Sequence, residues 1–193
     1  LADAPATELD VPATIDADRW LIDRRETRTR RPVVGRQCAG DVREWHRLRA
    51  ELPAHPTLDV RLRDGAGTAR RAFGFGGPPA GWLVYAADEV TPRAFLSQLD
   101  FYLALPGAGE PADAEPAVLA ALAAGCVVVL PDRYAPAYGD AAVYSTAEGL
   151  AETVHTLHGR RAALAEQRDR GRDFVRRTHG HDRYAERISA LTP

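Results

Sequence analysis

The chain has 193 residues, 25 basic and 27 acidic, for a formal net charge of −2, and every basic residue is Arg. That length suits one α/β domain and is too short for two of the same kind, while a near-neutral charge leaves no nucleic-acid footprint. An Arg-only, Ala-rich chain that starts at Leu1 and contains no Met reads as the carboxy-terminal part of a longer protein, from GC-rich coding sequence of actinobacterial character. No signal-peptide pattern opens it, and the longest apolar stretch, 117–130, is too short to span a bilayer. Cys38 and Cys126 lie far apart without metal-ligand spacing, so free thiols in a reducing cytoplasm are expected.

Residues 1–14 are Ala-, Pro- and acid-rich without period and read as a linker or interdomain segment, followed by a domain over 15–193. Trp20 is a lone aromatic fit to cover a core. The charged run 23–31 reads as a solvated loop. An apolar strand at 32–35 ends in a Gly35-Arg36 turn, which leads into a helix over 41–52. LDVRL at 58–62 alternates in period two and predicts a strand nearer a sheet edge. A short helix over 66–75 and a Gly-Gly-Pro-Pro turn at 76–79 follow. Neither Gly-rich stretch here completes a dinucleotide fingerprint. A strand at 82–85 precedes a helix over 91–99, with Thr91 as its cap and Pro92 at its first position. Tyr85 reads as core.

Residues 101–131 form the organising unit. Apolar runs at 101–105 and 126–130 predict two strands buried on both faces of a parallel sheet. Between them, a loop at 106–114 leads to a helix with Pro116 in its first turn and Gly125 just past its end. In open α/β sheets ligands bind outside the carboxyl ends of strands, so this loop and helix N-terminus form a natural phosphate seat. A loop over 131–140, an edge strand at 141–144 and helices over 146–158, 160–178 and 182–191 complete the chain. The histidines at 155, 158, 179 and 181 have no carboxylate placed with them, and no metal site is predicted. The expected fold is a doubly wound parallel six-stranded Rossmann-like sheet in the order 3-2-1-4-5-6.

The stretch AVLAALAAGCVVVLPDRYAPAYGDAAVY resembles the donor-binding half of retaining glycosyltransferases of the family 4, or group 1, type, which have the GT-B fold. Leu119, Ala121, Leu122, Ala123 and Gly125 match the family pattern LEAMAxG, and Val127 to Val129 fall on its following strand. Gly139, Asp140, Ala141 and Ala142 resemble its G(D/E)AA turn. RPVVGR at 31–36 resembles the opening strand and turn, IDADRW at 15–20 the interdomain hinge, and HDRYAERISAL the closing helix.

The resemblance implies a nucleotide-diphosphate sugar as donor substrate, with no cofactor or metal, and an acceptor-binding domain upstream in the same protein. Arg36 matches a diphosphate-binding Arg, the alternative being a structural ion pair, and Arg43 is the nearest substitute for a Lys that follows it. Gly35 forms the turn, Ala86 opens the segment 86–90 beside the base, and the amides of Ala117 and Val118 face the phosphates. Family members carry two Glu residues eight positions apart, where this chain has Ala112 and Ala120. The second would hold the ribose. A one- or two-residue shift in the loop can bring Asp113 or Glu110 into the first vacant place, but nothing acidic neighbours Ala120. The implied function is a donor-binding domain that is inactive alone, with no catalytic residue assigned. A non-catalytic scaffold or partner-docking module of the same fold is the alternative.

Overall fold

The computed structural model describes residues 14–24, 31–38, 41–52, 56–64, 67–104 and 111–180. Residues 1–13 of the linker expected at 1–14, residues 106–110 of the loop expected at 106–114, and the helix expected at 182–191 lie outside the described residues. Among the described residues six strands pair in parallel in the order β3-β2-β1-β4-β5-β6, the expected doubly wound order, compatible with right-handed crossovers. They are β1 (Val33–Cys38), β2 (Asp59–Asp64), β3 (Trp82–Ala86), β4 (Phe101–Leu103), β5 (Val127–Leu130) and β6 (Val143–Tyr144).

The helices are α1 (Ala17–Trp20), α2 (Val42–Glu51), α3 (Ala69–Phe73), α4 (Pro92–Leu96), α5 (Pro111–Ala123), α6 (Ala135–Tyr138), α7 (Leu150–His158) and α8 (Arg161–His179). They cover both faces of the sheet, which is why the central strands are apolar without alternation. Val33, Tyr102, Val128 and Leu130 pack with α4, α5 and Tyr138 of α6 on one face. Val34, Phe101, Leu103, Val127 and Val129 pack with α2, α3 and α7 on the other. Helix α8 serves both cores, through Val175 in the first and Leu164 in the second.

Gly125, at φ +72°, ends α5 as its position suggested. Its N–H donates to Leu122 O and that of Cys126 to Ala121 O, both at 2.9 Å, the paired bonds of a Schellman motif. Helix α5 nevertheless begins at Pro111 and holds Pro116 inside it, well before the expected start. Strand β1 likewise continues through Gly35 and Arg36 to Cys38, because both residues remain in the ladder with β2. Short helical turns, including α6, occupy the expected loop after Pro131.

The run at 23–31 is not wholly solvated. Arg24 donates to the carbonyls of Leu96 and Ala124 at 2.9 Å each, to that of Leu99, and to Cys126 Sγ. A cation thus closes chain ends that run into β4 and β5, where carbonyls lack intrahelical donors. Trp20 and Ile15 pack against the adjoining core, and the N–H of Ile15 donates to His179 O at 3.0 Å. The entering segment and the end of α8 are therefore tied together.

Candidate functional site

The sheet order reverses between β1 and β4, and the crest formed by the strands' carboxyl ends at that reversal is where an open α/β sheet accommodates a ligand. Helices α2 and α5 both start on this side. The first turn of α5, which includes the backbone of Asp113, supplies the N–H groups that have no intrahelical acceptor. Ala117 and Val118 lie in the body of α5, where amides donate to the preceding turn. They cannot be the helix-terminal donors expected from the position of Pro116. Pro116 itself has no N–H to donate, so the first turn of α5 is held less firmly than the rest.

Gly35 is a strand residue opposite Arg61 and Tyr102, not a turn. A Cβ there would come within 2.2 Å of Arg61 O and 2.8 Å of Leu99 Cδ2. Its glycine identity is explained by close packing. Arg36, next to it, points to the opposite face and donates from Nη2 to Glu44 Oε1 of α2 at 2.5 Å, both side chains being 5 % exposed. Of the two roles open to Arg36, the structure shows the ion pair. Its Nε is buried without a hydrogen-bond partner.

Arg43 has an exposed side chain, and its N–H donates to Asp41 Oδ1 at 2.9 Å. A carboxylate therefore already stands at the N-terminus of α2, the place a phosphate would take. At the end of β3, the N–H of Ala86 donates to Glu89 Oε2 at 2.6 Å and its carbonyl accepts from Glu89 N at 3.2 Å. Arg63 holds the same turn through the carbonyls of Ala87 at 2.5 Å and Val90 at 2.9 Å. Tyr85 packs partly buried, edge to face on Phe95, and donates to Gln98 Oε1 at 2.7 Å. Ala120 is 5 % exposed and belongs to the core under α5.

A polar cluster that sequence reasoning missed lies at the crest ends of β1 and β2. Asp64, buried, accepts from Thr68 Oγ1 at 3.0 Å and from Ala69 N at 3.1 Å. Thr68 Oγ1 accepts in turn from Trp45 Nε1 at 2.9 Å. Asp64 is paired in register with Cys38. Burial pushes the Cys38 thiol up, with Arg36 opposing and Glu44 and Asp64 adding to the rise. The signal available in sequence was an acid closing an alternating strand shortly before a Thr-initiated helix, but the same pattern is common in surface turns.

On the opposite edge of the sheet, at the amino end of β6, Tyr144 Oη donates to Gly139 O at 2.6 Å. Gln167 of α8 donates to Asp140 O at 2.9 Å, so the Gly-Asp-Ala-Ala turn is pinned between β6 and α8.

Comparison with solved structures gives this architecture its place. The chain is similar to sucrose-phosphate synthase from Thermosynechococcus elongatus, with a TM-score of 0.64 and 13 % identity, over 93 % of this chain and 50 % of that one. It is also similar to the C-terminal domain of a glycosyl transferase group 1 family protein from Francisella tularensis, with a TM-score of 0.57 and 14 % identity, over 87 % of this chain and 100 % of that one. The fold is that of a GT-B carboxyl-terminal domain. TarM aligns at a TM-score of 0.57 and 9 % identity, covering 89 % of this chain and 37 % of TarM. The chain spans about half the length of the sucrose-phosphate synthase chain and all of the excised group 1 domain. No family model matches the chain, and no curated protein matches it. No helix among the described residues is long and apolar enough to cross a membrane.

Proposed function

We propose that this chain is the nucleotide-sugar-binding half of a retaining glycosyltransferase, active only together with an acceptor-binding domain upstream in the same protein and working in the cytoplasm. One observation carries the reading. In a GT-B-like domain, the reversal of strand order between β1 and β4 lies beside the N-terminus of α5, where first-turn amides and the positive helix end suit a diphosphate. The donor lies across that reversal with its phosphates toward residues 111–114 and its base toward the turn at 86–90. Transfer then needs a second domain to bring the acceptor to the sugar, so the chain alone is inactive. No metal is required, since helix amides can carry the phosphate charge.

A second reading has its own support. The Arg36 guanidinium is paired with Glu44, the α2 N-terminus with Asp41, and the Ala86 N–H with Glu89, while Ala120 supplies no carboxylate for a ribose. Each of these groups expected to contact donor has an internal partner or lacks the needed atom. A non-catalytic scaffold using the same crest accounts for this equally.

Calorimetric titration with UDP, GDP and ADP separates the two readings. The donor reading expects weak saturable binding to the wild type, tightened roughly 10- to 150-fold in Ala120→Glu, the worth of one hydrogen bond to a charged group. Absence of binding by any of the three to either protein favours the scaffold. Micromolar binding that Ala120→Glu leaves unchanged refutes the ribose account.

A further inference from the structure

A cavity of about 620 Å³ opens on the side of the domain away from the crest, between the segment after α1, helix α4 and the middle of α8. Its position follows from Arg24, a lining residue, which bonds the carbonyls leading into β4 and β5 at the sheet's amino-terminal edge. The size is that of a small-molecule site.

Its walls are cationic. Among the described residues, the guanidiniums of Arg24, Arg93, Arg168 and Arg172 line it against the carboxylates of Asp23 and Asp169. Arg24 and Arg93 donate to main-chain carbonyls, which satisfy hydrogen-bonding capacity but cancel no charge. Arg168 Nη2 donates to Asp100 Oδ1 at 2.8 Å, and Arg172 reaches Asp169 at 3.4 Å and Ile22 O at 3.0 Å. The Nε atoms of both Arg168 and Arg172 are buried with no hydrogen-bond partner.

An excess of guanidinium charge, in a concave site whose protein walls focus the field, describes an anion receptor, while the two Nε atoms are packed away from the cavity. Burial, reinforced by the charge of Arg24, also lowers the Arg168 guanidinium below its ordinary value against the opposing pull of Asp100. An added anion would relieve that repulsion. Leu21, Ile22 and Ala165 supply the apolar part of the wall.

We propose that this cavity binds a small polyanion, phosphorylated or polycarboxylate, through Arg168 and Arg172, with Arg24 and Arg93 contributing field. Because Arg172 and Arg93 also hold the carbonyls of Ile22 and Leu21, occupancy ties the segment entering the domain more firmly to α8 and α4.

The test is calorimetric titration of the full chain at low ionic strength with sodium pyrophosphate and with citrate, in separate arms. Saturable one-to-one binding of either probe is expected, and which probe binds assigns the ligand chemistry. Ala165→Glu, an exposed helical position on the cavity wall, puts a carboxylate there without removing any bond of the fold and should weaken binding about tenfold. Ala165→Gln should retain it, and Arg172→Gln should weaken it as well. No saturable binding by either probe overturns the proposal, as does binding that Ala165→Glu leaves unchanged. Should Arg172→Gln fail to fold, the Ala165 pair decides alone.

Discussion

Arg36 of β1 and Glu44 of α2 form an ion pair of 2.5 Å with both side chains 5 % exposed, so the residue best matched to a phosphate ligand is also a structural bolt. Removing one partner leaves a buried, uncompensated charge. Glu44→Ala should therefore cost about 3 to 5 kcal/mol of stability, while the double change Arg36→Met, Glu44→Leu should cost much less than the two single changes together. Urea midpoints of the wild type, the two single variants and the double variant measure both effects.

Gly35→Ala should be among the most damaging single methyl additions in the sheet. The tip of Leu99 can turn aside, but Arg61 O, 2.2 Å from where the added methyl would sit, belongs to a paired strand and cannot. Overpacking of this kind costs about 3 kcal/mol. Gly76→Ala, where nothing lies within 4 Å and φ is not positive, should change stability by no more than about 0.5 kcal/mol. Thermal melting of both variants provides the comparison.

Arg24→Ala removes the donor for the carbonyls of Leu96, Leu99 and Ala124. About 3 kcal/mol of stability should be lost, since hydrogen bonds to a charged group contribute about 1.5 to 3 kcal/mol each and water replaces part of them. Arg24→Lys should not restore it, because an ammonium lacks the planar fork that spans separate acceptors. Faster reaction of Cys126 with a thiol reagent, as its cover at Arg24 is lost, gives a second readout.

Alkaline pH should destabilise the domain through three buried acids. Burial raises the Cys38 and Cys126 thiols above their ordinary 9.0 and pushes the Tyr102 hydroxyl from 10.0 up to about 12. Below the ordinary values these groups are neutral in both the folded and unfolded chain, and their contribution to stability is fully present. As pH rises the unfolded chain ionises first, so stability falls from about pH 9 upward, with the Tyr102 share lost between 10 and 12. Urea titrations between about pH 8 and 11 should show a falling midpoint. Cys38→Ala, Cys126→Ala should flatten the first part of that fall, and the native wild type should leave both thiols unreactive at about pH 8.

The apolar runs of β4 and β5 and the Gly125 helix stop were legible in the chain alone, because a strand buried on both faces must be continuously apolar and a Schellman turn wants a residue tolerant of positive φ. Strand order was expected by analogy with doubly wound sheets, and crossover handedness decided only that the helices cover both faces. The site was less legible, for a physical reason that recurs at each residue. Arg36 could bind a phosphate or a carboxylate, and only the packing of α2 over β1 brings Glu44 to it. Gly35 could turn or pack, and the closeness of Arg61 O decides for packing. Pro116 suits a first turn, yet the helix extends past it to Pro111. Arg24 reads as one more charge in a solvated run until the ends of α4 and α5 converge on it. Local pattern determines which segments are buried and where helices can stop. Which polar group meets which is set by contacts between residues distant in sequence, and those exist only once the sheet and its two helix layers have assembled.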